Sequence, residues 1–141
     1  MYRSAVKLMS VFLLLTLSCG GDDPPFSPTV ETVAGSYQAS SLTGTQSGIT
    51  VNLLSLGASV EMVLNEDFTT TGRVFAPGLD EGGQDLDVDL AGTWTLEGET
   101  VTFTQTGDTF IRGIPFTVGR NRLQGEGTFR TVTIRLTLTK E

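Results

Sequence analysis

Histidine is absent from the 141 residues, and cysteine and tryptophan occur once each. Without histidine the chain lacks the commonest general base, the usual partner of a serine or cysteine nucleophile, and the commonest metal ligand. A single cysteine cannot close an internal disulfide. Zinc and copper sites, which draw on histidine and cysteine, are not expected. Glycoside hydrolysis by paired carboxylates needs neither residue and stays open. Long apolar runs are also missing. The longest, residues 8–17 (LMSVFLLLTL), falls well short of the ~20 residues that span a bilayer as a helix. Basic residues are scarce, nine against sixteen acids.

The one apolar run sits in a recognisable setting. Arg3 and Lys7 precede it with no acid between them, and Ser18 and Cys19 follow it. A basic end, an apolar stretch and a small residue at the cut make up a secretory signal. Leu15-Thr16-Leu17-Ser18-Cys19 resembles the lipobox of bacterial lipoproteins, with Thr16 where leucine is usual. The resemblance implies cleavage before Cys19, a diacylglyceryl thioether on its sulfur and a further acyl chain, such as palmitate, on the new amino end. Each buried methylene contributes ~0.8 kcal/mol, so several chains make a stable membrane anchor. The competing readings are ordinary cleavage near Ser18 with a free thiol, or an uncleaved anchor. Gly20, rather than aspartate, follows the cysteine. By the same resemblance this favours the outer over the inner membrane, with the periplasmic or surface face left open. Residues 20–28 (GGDDPPFSP) read as a tether, flexible and then stiff. The expected organisation is thus a signal at 1–18, a lipidated tether at 19–32 and one domain at 33–141.

Loss of residues 1–18 removes Arg3 and Lys7 and leaves seven bases against sixteen acids, a net charge of −9. So acidic a body disfavours nucleic acid and anionic lipid as partners. Six of those seven bases lie in residues 112–140. The plain reading is a solubilising surface, the other a charged docking face.

From Val33 onward, threonine, valine and phenylalanine recur with period two between glycine-rich turns. Strands are expected at 33–40, 58–65, 68–76, 85–96, 99–105, 108–118, 120–126 and 128–140, with turns at 65–67 and 96–99. Residues 51–56 read either as a further strand or as a helical turn capped by Asn52 and ended by Gly57. Val132, Ile134, Leu136 and Leu138 share one parity and Thr133, Arg135, Thr137 and Thr139 the other, as in a sheet with one face on a core and its back to water. Short connections make neighbours antiparallel. The predicted fold is all-β: a single antiparallel up-and-down meander barrel of about eight strands, with a β-sandwich as the alternative.

Ala91-Gly92-Thr93-Trp94-Thr95-Leu96-Glu97-Gly98-Glu99-Thr100-Val101-Thr102-Phe103 resembles the central hairpin of small lipocalin-like bacterial lipoproteins, and Val33-Ala34-Gly35-Ser36-Tyr37 resembles their opening strand, with Tyr37 in place of tryptophan. In that family the opening aromatic closes one barrel end against a late-strand arginine. Arg130 and Arg135 are the two available, and the sequence does not choose between them. The resemblance implies a barrel that holds a small apolar ligand. Tyr37, Met62, Phe68, Trp94, Phe103, Phe110, Arg112 and Phe116 are its candidate lining. As plain readings, the aromatics pack the core and Arg112 lies at the surface.

Residues 80–89 (DEGGQDLDVD) are the densest run of acids. Asp80, Asp85 and Asp87 are a calcium candidate, since calcium takes oxygen ligands from such loops. Parity gives another reading. Leu86, Val88 and Trp94 share one face, which leaves Asp85, Asp87 and Asp89 on the solvent face as protection for a strand edge. No cofactor is expected. Three functions compete: a binding module with a cavity among inward aromatics, a non-enzymatic structural or interaction lipoprotein with a filled core and an exposed apolar patch, and a carboxylate hydrolase. The last needs two acids converging in a cleft about 5–10 Å apart and is the least favoured; the chain is not expected to be an enzyme.

Overall fold

Alternation of apolar and polar residues becomes strand wherever a turn residue lets the chain reverse, and this happens ten times. The structure, a computed structural model, describes residues 26–105 and 107–141. A four-residue helix α1 (Val30–Val33) comes first, held by a capping box between Thr29 and Thr32. The strands are β1 (Gly35–Gln46), β2 (Ile49–Asn52), β3 (Ser59–Leu64), β4 (Thr69–Ala76), β5 (Leu86–Asp89), β6 (Gly92–Glu97), β7 (Thr100–Gln105), β8 (Phe116–Gly119), β9 (Arg122–Phe129) and β10 (Val132–Lys140).

Eight of them close a ring of antiparallel ladders in the order β1-β3-β4-β6-β7-β8-β9-β10, and β10 returns to pair with β1. The chain is therefore a closed eight-strand antiparallel barrel with two extra strands. The extras extend staves that would otherwise run short. The second half of β1 takes β2 where its first half takes β3. The second half of β4 takes β5 where its first residues take β6.

The registers define two poles. Helix α1 and the turns at 65–68, 98–99 and 120–121 gather at one, the closed pole. The β1–β2 hairpin tip, residues 77–85, residues 107–115 and the turn at 130–131 gather at the other, the mouth. Tyr37, Leu42, Val60, Met62, Val74, Trp94, Phe103, Phe116, Leu123, Ile134, Leu136 and Leu138 form one buried cluster with their neighbours. At the closed pole the Tyr37 hydroxyl donates to the Val33 carbonyl at 2.6 Å. There too the Trp94 indole N–H donates to the Asn65 carbonyl at 2.9 Å.

Two strand expectations are corrected. The segment predicted as strand 108–118 is strand only from Phe116; Gly113 and Pro115 interrupt the pattern, and Phe110, Ile111 and Ile114 fold inward as a buried turn. The stretch 85–96 splits at Leu90-Ala91. The Leu90 carbonyl turns to accept from the buried Thr70 hydroxyl at 3.0 Å and the Gln105 amide at 3.5 Å. Residues 51–56 satisfy both readings offered: Asn52 ends β2, its Oδ1 accepts from the Leu54 N–H at 3.1 Å, and one 3-10 turn follows until Gly57 at φ 99°.

Glycine also sets the barrel's girth. Gly125 and Gly127 take inward positions on β9, between buried Leu123 and Phe129. A Cβ at Gly125 would overlap Ile114 Cγ2 and lie 2.9 Å from Phe116 Cδ1, so the missing side chain is the space those two occupy.

Candidate binding cleft at the barrel mouth

Ser47 and Gly48 both have positive φ, 52° and 77°, the backbone of a type I′ turn, and join β1 to β2. The hairpin rises at the mouth with Ile49 and Val51 on one face. Asn52 and Gly57 then turn the chain so that Leu56 projects beside them. Pro77, Gly78 and Leu79 form the opposite wall; Gly44, Leu53 and Val132 are also part of the lining. The cleft is open to solvent and holds about 300 Å³. Four large apolar side chains are exposed among the described residues, and three of them, Ile49 (67%), Val51 (38%) and Leu56 (57%), meet here.

An ionic clasp lies next to this wall. Arg130, at φ 57°, bridges Asp80 at 3.0 Å, Glu81 at 2.9 Å and Asp108 at 3.3 Å. Its guanidinium sits 5.0 Å above the Phe129 ring. One cation therefore ties the 77–85 loop, the 107–115 loop and the β9–β10 turn together, and Leu79 is held in the first of these.

The eight residues expected to line a ligand pocket do not converge on one. Trp94, Phe103, Phe110 and Phe116 are buried and pack on other rings, Phe103 edge-on to Phe116 at 5.4 Å and Phe110 edge-on to Phe129 at 6.1 Å. Phe68 is 43% exposed at the closed pole, 5.1 Å from Trp94. Tyr37 and Met62 border a separate polar notch of about 200 Å³ that also includes Glu61 and Glu141. Arg112 lies on the surface and pairs with Asp108 at 3.1 Å. None of the eight borders the mouth cleft.

The arginine expected to close the barrel against Tyr37 is not there. Arg130 serves the opposite pole, and Arg135 points outward to Glu126 at 2.8 Å. At the closed pole the Lys140 ammonium donates to the Thr32 carbonyl at 2.9 Å, and Arg120 lies over the Phe26 ring. Burial raises the Tyr37 phenol to about 12.

The calcium candidate also comes apart. Asp80 faces Arg130, Asp85 accepts from the Gly78 N–H at 3.1 Å, and Asp87 forms a two-pronged pair with Arg73 at 2.7 and 2.6 Å. The hydrogen bond from Arg73 holds the Asp87 carboxyl below the usual range. Among the described residues no cluster of acids, cysteine or histidine is placed to hold a metal. Asp87 and Asp89 are exposed on β5, as the parity reading expected. Cys19, where the sequence led us to expect a lipid anchor, lies outside the described residues.

A larger trough of about 420 Å³ runs over the outer wall between Ser41, Thr117, Gln124, Glu126, Arg135 and Thr137. It is polar, and Arg135 and Glu126, which face it, are paired with each other, so the mouth cleft is the better candidate. The residues of the cleft were missed in the sequence because Val51 and Leu56 fell in the undecided stretch 51–56 and Ile49 lay where no element was expected. One signal was available: no charged residue occurs between Glu31 and Glu61. Comparison with family models, with curated proteins and with solved structures finds no match.

Proposed function

We propose that this is a non-enzymatic envelope lipoprotein, anchored through acylated Cys19, whose barrel presents an apolar docking cleft to an uncharged protein surface. The observation that carries the reading is the contrast between inside and outside. The barrel interior is packed with its own aromatic and aliphatic side chains, while three exposed aliphatics gather at a single cleft. Contiguous exposed apolar surface marks interaction sites. No carboxylate borders the cleft, which supports a role without hydrolysis. Helix α1 and residue 26, where the tether would join, lie at the closed pole, so the cleft points away from the anchor.

A second reading has its own support. A volume of about 300 Å³ is at the lower end of small-molecule sites. A single small apolar ligand would then sit at the mouth rather than among the core aromatics.

Two measurements test these readings. Replacing Cys19 by alanine should move the protein out of the membrane fraction and abolish labelling by a palmitate analogue; retention with undiminished labelling refutes the anchor. Native mass spectrometry of the mature protein, before and after organic extraction, decides between the two uses of the cleft. A removable mass of a few hundred daltons favours the ligand, and an unchanged mass favours docking.

A further inference from the structure

The barrel has two strands that pair on one edge only among the described residues: β2 pairs with β1 alone, and β5 with β4 alone. An unpaired edge offers main-chain donors and acceptors to any other strand, and proteins usually guard it with charge. The edge of β5 is guarded, by Asp87 and Asp89 within the strand and Asp85 just before it. The edge of β2 is not. Its four residues, Ile-Thr-Val-Asn, are uncharged and all exposed. They sit in an unbroken run of 29 residues, 32–60, without a single charge.

The geometry of β2 suits strand addition. In a two-residue type I′ hairpin the flanking residues, here Gln46 and Ile49, form the hydrogen-bonded pair. Pairs alternate along an antiparallel ladder, so Thr45 and Thr50 form a non-hydrogen-bonded pair. The 2.7 Å contact between their hydroxyls agrees with the close approach such pairs allow. The Thr50 N–H and C=O therefore point away from β1, toward the free edge.

The tether falls short of covering that edge. Residues 19–25, fully extended, reach at most about 25 Å. They start from the closed pole, where Phe26 packs beside Arg120, Asn121 and Lys140. From that pole β1 runs twelve residues to the mouth, roughly 40 Å of strand, or about 28–33 Å of height at the tilt of a closed barrel.

A second copy of the chain fits the edge. An antiparallel pair with its two-fold axis through Thr50 sets Thr50 against Thr50 with both main-chain groups in use. It also sets Ile49 of each copy opposite Val51 of the other, apolar against apolar on one face. Two bodies of net charge −9 repel, and the uncharged sector is where they approach at least electrostatic cost.

We infer that β2 is a self-association edge: two copies pair antiparallel through Ile49–Asn52, with Ile49 and Val51 of each covering the other. This rests on the docking reading above and names its partner.

The test uses the full chain in detergent. Thr50→Cys should form a disulfide-linked dimer on mild oxidation, and neither the parent chain nor Asp87→Cys, at the guarded edge, should do so. Val51→Lys, at an exposed position, should weaken the dimer at least tenfold in sedimentation equilibrium while Trp94 emission stays that of the folded barrel. A parent chain that remains monomeric, with Thr50→Cys uncrosslinked, overturns self-association. A photo-crosslinker at position 50, introduced in cells, separates the two failures. If it captures a different protein in place of a second copy, self-association falls and the docking reading stands; if it captures nothing, both fall.

Discussion

Alkaline titration probes the closed pole through the only tyrosine among residues 26–141, Tyr37. Its ring is 3% exposed and its hydroxyl donates to the Val33 carbonyl, which joins the start of β1 to the end of α1. Burial disfavours the phenolate and lifts the group from 10.0 to about 12. In the unfolded chain the phenol ionises near its ordinary value. Below pH 10 both states keep the proton, and the contribution to stability is complete. Between pH 10 and 12 the unfolded chain loses its proton while the folded one retains it, so stability falls as pH rises. The gap corresponds to a loss of about 3 kcal/mol across that window, a sizeable part of the ~5–15 kcal/mol that holds an ordinary domain together. Urea unfolding followed by Trp94 emission at stepped pH measures the loss, and tyrosinate absorbance follows the phenol directly. Tyr37→Phe isolates the contribution of the phenol: it costs about 1 kcal/mol at neutral pH for the lost hydrogen bond and removes the tyrosine part of the alkaline slope. A folded-state Tyr37 that ionises near 10, or an alkaline loss of stability that is the same in Tyr37→Phe, would refute the reasoning.

Gly125→Val forces a side chain into space held by Ile114 and Phe116 and should destabilise the barrel by about 1–3 kcal/mol in chemical denaturation; an unchanged midpoint would mean that the 107–115 turn packs elsewhere. Arg130→Ala removes all three bridges of the clasp, and hydrogen exchange should quicken in residues 77–85 and 107–115 with little change elsewhere. Arg130→Gly loses the same bridges but is at ease at φ 57°, so it should be the more stable of the two variants by about 1 kcal/mol.

Strand after strand was legible where one residue type marked one face. The apolar parity of β10 and the Glu97-Gly98 turn needed no knowledge of distant contacts. Reading failed where a long-range partner decided the outcome. Phe110, Ile111 and Ile114 carry the composition of a strand, yet they fold as a buried turn, in which Ile114 fills the hollow left by Gly125 and Gly127 and Phe110 packs on Phe129. Leu90 breaks a strand because Thr70 and Gln105 compete for its carbonyl. The candidate site was hidden for a related reason. Aromatic residues drew attention as pocket lining, but in a narrow barrel large rings are what fills the interior. Whether Ile49 and Val51 face a core or open space depends on the residues across the mouth, Pro77 and Leu79, and no local pattern records that.

The placement of helix α1 and of β2 at opposite poles has a consequence for how copies could stand in an envelope. A two-fold axis through an antiparallel strand pair turns the second barrel upside down. The two closed poles, and the tethers that would leave them, then point in opposite directions with both barrels stacked between. Two copies rooted side by side in one flat sheet of lipid cannot meet in this way without lying down. Copies rooted in two surfaces that face each other can, and the pair would then set the distance between those surfaces.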